Sequence, residues 1–176
     1  MTFEIRTATR DDAQSISDIY NHYVDCSTCT FDLTRESLAE RIAWLEARTD
    51  RHPVVVCLHE QQIIGWGSLS QWNPRPGYAR TAEVSFYVRH DWHRRGVGRL
   101  ILSDLIARAR RLKHRVLIGG ASADQVASIR LQEDFGFVKV AHFRDVGYKF
   151  GRWLDVVYFQ LHLDAPAGEG LPDDNE

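Results

Sequence analysis

The sequence predicts an α/β fold: one domain with a mixed central sheet of about seven strands and helices flanking both faces. Three observations carry this. Strand and helix signals alternate in the order βααβββαβαββ. The chain has 176 residues, 44% of them hydrophobic, which suits one ordinary domain with a sizeable core. Strand 81–88, helix 98–112 and strand 115–121 form a βαβ unit, whose right-handed crossover makes its two strands parallel.

The elements follow in chain order. Residues 3–6 read as a short strand. Thr9 lies three residues before Asp12, the pattern of a helix start, and an amphipathic helix runs from there to about Val24. A second helix fits 35–48, with Leu38, Ile42 and Leu45 at helical spacing. Segments 54–59 and 63–70 read as a hairpin. Residues 71–80 contain two prolines and a glycine and read as a loop. After strand 81–88 comes a loop dense in Arg, His and Gly, then helix 98–112. Strand 115–121, helix 124–135 and strands 137–143 and 153–163 complete the body. The domain is expected over residues 1–163. Residues 164–176, rich in Pro, Gly and acid, are expected to be a flexible acidic tail.

Charge and composition exclude several classes. There are 22 Lys and Arg against 24 Asp and Glu, a formal charge of −2, without the basic excess of a nucleic-acid binder. The tail holds five acids and no base, so the body carries a net +3, a bias that favours an anionic ligand. No apolar run approaches a membrane span, and the first residues lack the pattern of a secretory signal. Three cysteines, Cys26, Cys29 and Cys57, do not read as a disulfide framework and suit a reducing cytoplasm. The scattered histidines lack metal-ligand spacing, so no metal is expected.

Two segments point to chemistry. The loop Trp92-His93-Arg94-Arg95-Gly96-Val97-Gly98-Arg99 enters a helix. Its glycines admit close backbone approach, the first helical amides are unpaired, and the arginines add charge, as a pyrophosphate site requires. It is neither a P-loop nor a dinucleotide fingerprint. The strand Thr81-Ala82-Glu83-Val84-Ser85-Phe86-Tyr87-Val88 places Glu83, Ser85 and Tyr87 on one face. A half-buried carboxylate there would have a raised pKa and could act as a general base; the structural alternative is an ion pair to Arg75 or Arg80. The preceding loop 72–80 offers Arg75, whose fork could grip a carboxylate or phosphinate; the alternative is a plain exposed loop. Cys26-Ser27-Thr28-Cys29 follows a helix instead of opening one, which disfavours redox use.

These segments, together with Ala127-Ser128-Ile129-Arg130-Leu131-Gln132-Glu133-Asp134-Phe135-Gly136-Phe137, resemble the GNAT superfamily of acetyl-CoA-dependent N-acetyltransferases. Asn21-His22-Tyr23 through Ser27-Thr28 to Phe31, Thr81-Ala82-Glu83 with Tyr87-Val88, the 72–78 loop and Val146-Gly147-Tyr148-Lys149-Phe150-Gly151-Arg152-Trp153-Leu154-Asp155 resemble the phosphinothricin and methionine sulfoximine/sulfone acetyltransferases within it, most specifically from Lys149 to Asp155. The resemblance covers residues 3–163.

The resemblance implies acetyl-CoA as cosubstrate. Backbone amides at Phe86, Tyr87 and Val88 would bind the pantetheine arm. Arg94, Arg95, Gly96, Val97, Gly98 and Arg99 would cradle the pyrophosphate, and Gln125 and Ser128 would also bind the cofactor, Gln125 at the position that touches its arm. Glu83 would be the base, and Phe31, Asn73, Pro74, Arg75 and Tyr78 would line the acceptor site with it. It also implies a homodimer acting on a small amine. Three positions depart from the pattern: His93 opens the phosphate loop, Gln125 stands where Asn is usual, and Gln132 replaces a Tyr or His and cannot serve as an acid. Another acceptor amine, a protein N-terminus or a non-catalytic CoA-binding module are the alternatives.

Overall fold

The computed structural model describes residues 2–163; the expected tail, 164–176, lies outside them. Seven strands form one sheet: β1 (Glu4–Thr7), β2 (Val54–His59), β3 (Gln62–Gln71), β4 (Thr81–Val88), β5 (Val116–Ser122), β6 (Val138–Lys149) and β7 (Arg152–His162), in spatial order β1-β2-β3-β4-β5-β7-β6. Four helices accompany them: α1 (Ala13–Cys26), α2 (Leu38–Glu46), α3 (Val97–Arg111) and α4 (Val126–Asp134).

The mixed sheet agrees with the sequence expectation. Strands β1 to β4 form an antiparallel meander, β4 and β5 are parallel, and the β6–β7 hairpin completes the sheet antiparallel to β5. Two cores lie on opposite faces. One packs α3 (Ile101, Leu102, Leu105, Ile106) against Val55, Leu69, Val84, Leu117 and Phe159. The other packs α1 (Ile16, Ile19) against Val54, Val56 and Trp66. Gly67 of β3 lets α3 approach the sheet: a Cβ there would lie 2.7 Å from Ile101 and 2.8 Å from Leu105.

Element boundaries differ where local bonding decides them. The expected helix at 35–48 is shortened to α2. Ser37 Oγ accepts from the Glu40 N–H at 3.2 Å while Glu40 accepts from the Ser37 N–H at 2.7 Å, a capping box that fixes the start. Asp12 accepts from the Thr9 N–H at 2.7 Å and from Arg6 at 2.7 and 2.8 Å. Thr9 thereby opens a short 3-10 turn, Arg10–Asp12, before α1 begins. The largest difference is β6, expected to end at 143. It runs on to Lys149, with register shifts between Phe143 and Gly147, so the segment 146–155 becomes the tip of a long hairpin.

Candidate active site

The sheet opens where β4 and β5 part. Their parallel ladder has three rungs, from Thr81 with Val116 to Glu83 with Ile118, yet the strands continue to Val88 and Ser122. Beyond Glu83 the outer edge of β4 stays paired to β3 and that of β5 to β7. The two facing edges diverge and keep backbone amides and carbonyls for a ligand. A narrow slot of about 60 Å³ lies in the gap, lined by Cys29, Ser85, Phe86, Tyr87, Gly120, Ala121, Gln125, Ser128 and Gln132.

The Gly-rich loop 92–99 follows the end of β4. Gly96 caps α3 with φ +83°, and Arg94 also has positive φ, +60°. The first intrahelical bond runs from the Leu100 N–H to the Gly96 carbonyl, so the amides of Val97, Gly98 and Arg99 have no helical acceptor. The three arginines differ. Arg99 pairs with Asp134, Arg95 stacks over Trp92 at 4.8 Å, and Arg94 is exposed without a carboxylate partner among the described residues. His93 bonds the Tyr23 hydroxyl at 2.6 Å, and that hydroxyl also bonds the Val88 carbonyl, tying the loop to the end of β4.

Glu83 stands on the last rung before the gap, opposite Ser70 and Ile118. It is half-buried, and burial alone raises its pKa above the usual carboxylate range. Neither Arg75 nor Arg80 pairs with it among the described residues, so the ion-pair alternative is not realised. Tyr158 of β7 lies close enough for the Glu83 charge to raise its phenol pKa, in addition to burial. Sequence reading missed Tyr158; the register that puts it beside Gly120 of β5 was not visible in the chain. It also contacts Trp72 and Phe143, with ring centroids 5.8 Å apart in each case.

Beside Tyr158 lies an open hollow of about 450 Å³, lined by Phe31, Phe143, Val146, Gly147, Tyr148, Val156 and Tyr158. Phe31 lies against Gly147, where any Cβ would collide with its ring. The candidates Asn73, Pro74, Arg75 and Tyr78 belong to the exposed loop between β3 and β4 and do not line the hollow; Asn73 Oδ1 accepts from the Arg75 N–H at 3.0 Å.

One group absent from the expected role set orders this region. The Lys149 amine, nine-tenths or more buried, donates to the carbonyls of Ser27 and Thr30 at 2.8 Å each. Burial lowers its pKa. From the other side, Thr28 donates to Asp124 at 2.6 Å and accepts from Gln125 at 2.7 Å. The loop after α1 is therefore fastened to β6 and to the start of α4, which holds Cys29 in the slot and Phe31 in the hollow. The paired cysteine motif is accounted for here: Cys26 is exposed, Cys29 is half-buried, and both are free thiols.

The family model for an acetyltransferase (GNAT) domain matches residues 5–158. The chain belongs to the GNAT acetyltransferase family. It is 38% identical to an L-methionine sulfoximine/L-methionine sulfone acetyltransferase of Salmonella typhimurium, over 93% of this chain and 96% of that one. It is 34% identical to a phosphinothricin N-acetyltransferase of Streptomyces coelicolor, over 91% and 96%. A Salmonella typhimurium acetyltransferase structure solved with its cofactor acetyl-CoA superposes with a TM-score of 0.91 at 36% identity, covering 99% of both chains. The chain thus matches, over more than nine-tenths of its length, relatives named for methionine sulfoximine, methionine sulfone and phosphinothricin acetylation. No helix among its described residues is long and apolar enough to cross a membrane, and no group of three or more metal-ligating side chains occurs among them.

Proposed function

We propose that this acetyltransferase moves the acetyl group of acetyl-CoA to the amine of a small, amino-acid-like acceptor of the methionine sulfoximine, methionine sulfone or phosphinothricin type. The observation that carries the reading is Glu83: a half-buried carboxylate with a raised pKa and no ion-pair partner among the described residues, at the mouth of the gap between β4 and β5. The names of the relatives supply the acceptor class.

The geometry supports the following roles. The diverging edge of β4 at Phe86, Tyr87 and Val88 offers backbone partners to the pantetheine arm, with Gln125 and Ser128 on the opposite wall. The unpaired amides of Val97, Gly98 and Arg99, with Arg94 and Arg95, face the pyrophosphate. An ammonium has no lone pair, so Glu83 first takes its proton, directly or through a water. The amine nitrogen then attacks the thioester carbonyl: the C–N bond forms, the C–S bond breaks, and its electron pair leaves on sulfur. The nitrogen's second proton goes to solvent, as does the one held by Glu83. Thioesters are already activated, so positioning and proton removal suffice without a covalent enzyme intermediate.

Asn73, Arg75 and Tyr78 act on the acceptor if their loop folds over the hollow, where the Arg75 fork would meet a carboxylate or phosphinate. The chain works as a homodimer in this reading. Val138, Val140, Phe143, Val146, Tyr148 and Trp153 leave the β6–β7 hairpin with an exposed apolar surface. Light scattering of the purified protein tests that point.

The deciding experiment is thiol release from acetyl-CoA with methionine sulfoximine, methionine sulfone, phosphinothricin, free amino acids and spermidine, with Glu83→Gln alongside. Turnover of the first three, lost in the variant, is expected. Acetyl-CoA binding without turnover of any acceptor would move the function to another acceptor or to a CoA-sensing role.

A further inference from the structure

Two polar groups near the start of the gap share one face of the sheet. Val84, Leu117 and Phe159 belong to the core under α3. Alternation therefore turns Glu83, Ile118, Gly120 and Tyr158 to the opposite face. Glu83 stands opposite Ile118, and Tyr158 opposite Gly120, two residues further along β5. Gly120 has no side chain, and the Tyr158 ring leans over it: a Cβ there would lie 3.2 Å from Cε1 and 3.7 Å from Cζ. The ring thus crosses β5 from β7, and the hydroxyl on Cζ is carried toward the β4 side, where Glu83 stands. Trp72 and Phe143 brace the ring edge-on, with centroids 5.8 Å away in each case. Burial and then the Glu83 charge raise the phenol pKa, so the two groups feel one another. No hydrogen bond joins them, and neither has a hydrogen-bond partner among the described residues. A carboxylate only accepts, and a neutral phenol can accept as well as donate. One group with several N–H donors would complete both.

We propose that the acceptor's ammonium is held between the Glu83 carboxylate and the Tyr158 hydroxyl oxygen, each accepting one of its N–H bonds. This assignment rests on the acetyl-transfer reading and gives the reacting nitrogen a second protein contact. Held at two points, the nitrogen has its place and the rotation about its C–N bond defined, which is where positioning gains its effect. Glu83 takes the proton of the N–H it holds. The phenol keeps its own proton throughout and goes on accepting an N–H from the neutral amine. The nitrogen therefore stays in place and can turn about that remaining bond until its lone pair faces the thioester carbonyl. Because burial and the Glu83 charge keep the phenol un-ionised, Tyr158 competes neither for the ammonium proton nor as a second charge.

Tyr158→Phe tests this, because it removes the hydroxyl and keeps the ring over Gly120, so the variant should fold. Steady-state kinetics on the intact protein use methionine sulfone as acceptor. The inhibitor is methionine sulfone with hydrogen in place of the amine. In the variant, kcat/KM for methionine sulfone should fall about tenfold, the range for one hydrogen bond to a charged group, with the acetyl-CoA KM unchanged. The Ki of the amine-free inhibitor should stay the same, since it makes no contact with the hydroxyl. The acid limb of the pH profile should remain, since Glu83 is intact. Equal weakening of substrate and inhibitor would put the hydroxyl on another part of the acceptor and overturn the proposal. Unchanged kinetics would overturn it as well, and both results leave acetyl transfer standing. Wild-type protein that binds acetyl-CoA yet turns over none of the acceptors overturns both.

Discussion

Two hollows at opposite ends of the sheet differ in a way that reverses their apparent merit. The one at the far end from the gap is the roomier, about 470 Å³, with Arg10, Arg48, Arg108 and Arg111 around an apolar floor of Leu45, Pro53, Val54 and Leu112. The slot between β4 and β5 offers about 60 Å³. Size and charge would send an anionic ligand to the first. Bonding sends it to the second. Helices α2 and α3 end at the far hollow, and the carbonyls of a helix C-terminus carry partial negative charge. The arginines there are largely spoken for. Arg10 pairs with Glu46 and Arg108 with Asp104. Arg48 lies 3.8 Å above the Trp44 ring, donates to Ser70 at 3.0 Å, and has its pKa lowered to about 10 by burial. At the slot the reverse holds: helices begin, strand edges are unpaired and, among the described residues, Glu83 has no counter-ion and the Gln132 oxygen has no donor. Unmet bonding capacity, more than volume, marks where this protein can do chemistry.

The largest effect that would break this comparison is catalytic. Glu83→Gln should lower kcat by about 10²- to 10⁴-fold, the range for a general base, with the far-ultraviolet circular dichroism spectrum unchanged. Arg111→Ala in the far hollow should leave turnover within about twofold. Similar losses in both variants would mean that the ends of the sheet are not functionally distinct.

A second prediction sharpens the role of Glu83. Its charged form is the base, and burial raises its pKa, so kcat/KM should rise with pH through a value above the ordinary carboxylate pKa of about 4.3. Below that value the rate should fall about tenfold per pH unit. The limb should vanish from the residual activity of Glu83→Gln. A limb that persists there belongs to another group.

Lys149→Met tests whether the slot and the hollow depend on one fastening. The variant strands the Ser27 and Thr30 carbonyls that the buried amine now serves. We expect a loss of about 3 kcal/mol in urea unfolding, from the size of hydrogen bonds to a charged donor. The acceptor KM should rise because Phe31 rides on the freed loop. Destabilisation with KM unchanged would separate the loop from the acceptor site.

The sequence carried much of this, unevenly. The gap follows from the βαβ unit, because a parallel pair needs a crossover and the Gly-rich segment marks its turn. Glu83 was legible because an acid in mid-strand is uncommon and alternation fixes its face. Tyr158 and Lys149 were not, because their roles depend on register across β5, β7 and β6, and the bulges of β6 shift that register by amounts no local pattern encodes. The placement of the 72–80 loop was not legible: the structure leaves Trp72, Arg75 and Tyr78 exposed and outside the wall of the hollow. Gln132 was recognised as a departure from the family pattern, but its missing partner is a property of packing.

The smallest prediction concerns the far end again, where stability and not turnover should respond. Asp12 joins β1 to the start of α1 through Arg6 and the Thr9 N–H. Those bonds, Arg6 first, hold its carboxyl below the usual aspartate range. A carboxyl with a lowered folded pKa stabilises above its unfolded value, about 3.9, and that contribution is lost as pH falls through the folded value. Asp12→Ala should therefore cost about 1 kcal/mol at pH 7, the usual worth of a capping side chain, and progressively less below pH 4. Turnover at neutral pH should be unchanged. A drop in kcat in a variant that is still fully folded would show that β1 and α1 transmit to the β4–β5 gap, which the separate bonding of the two ends does not lead one to expect.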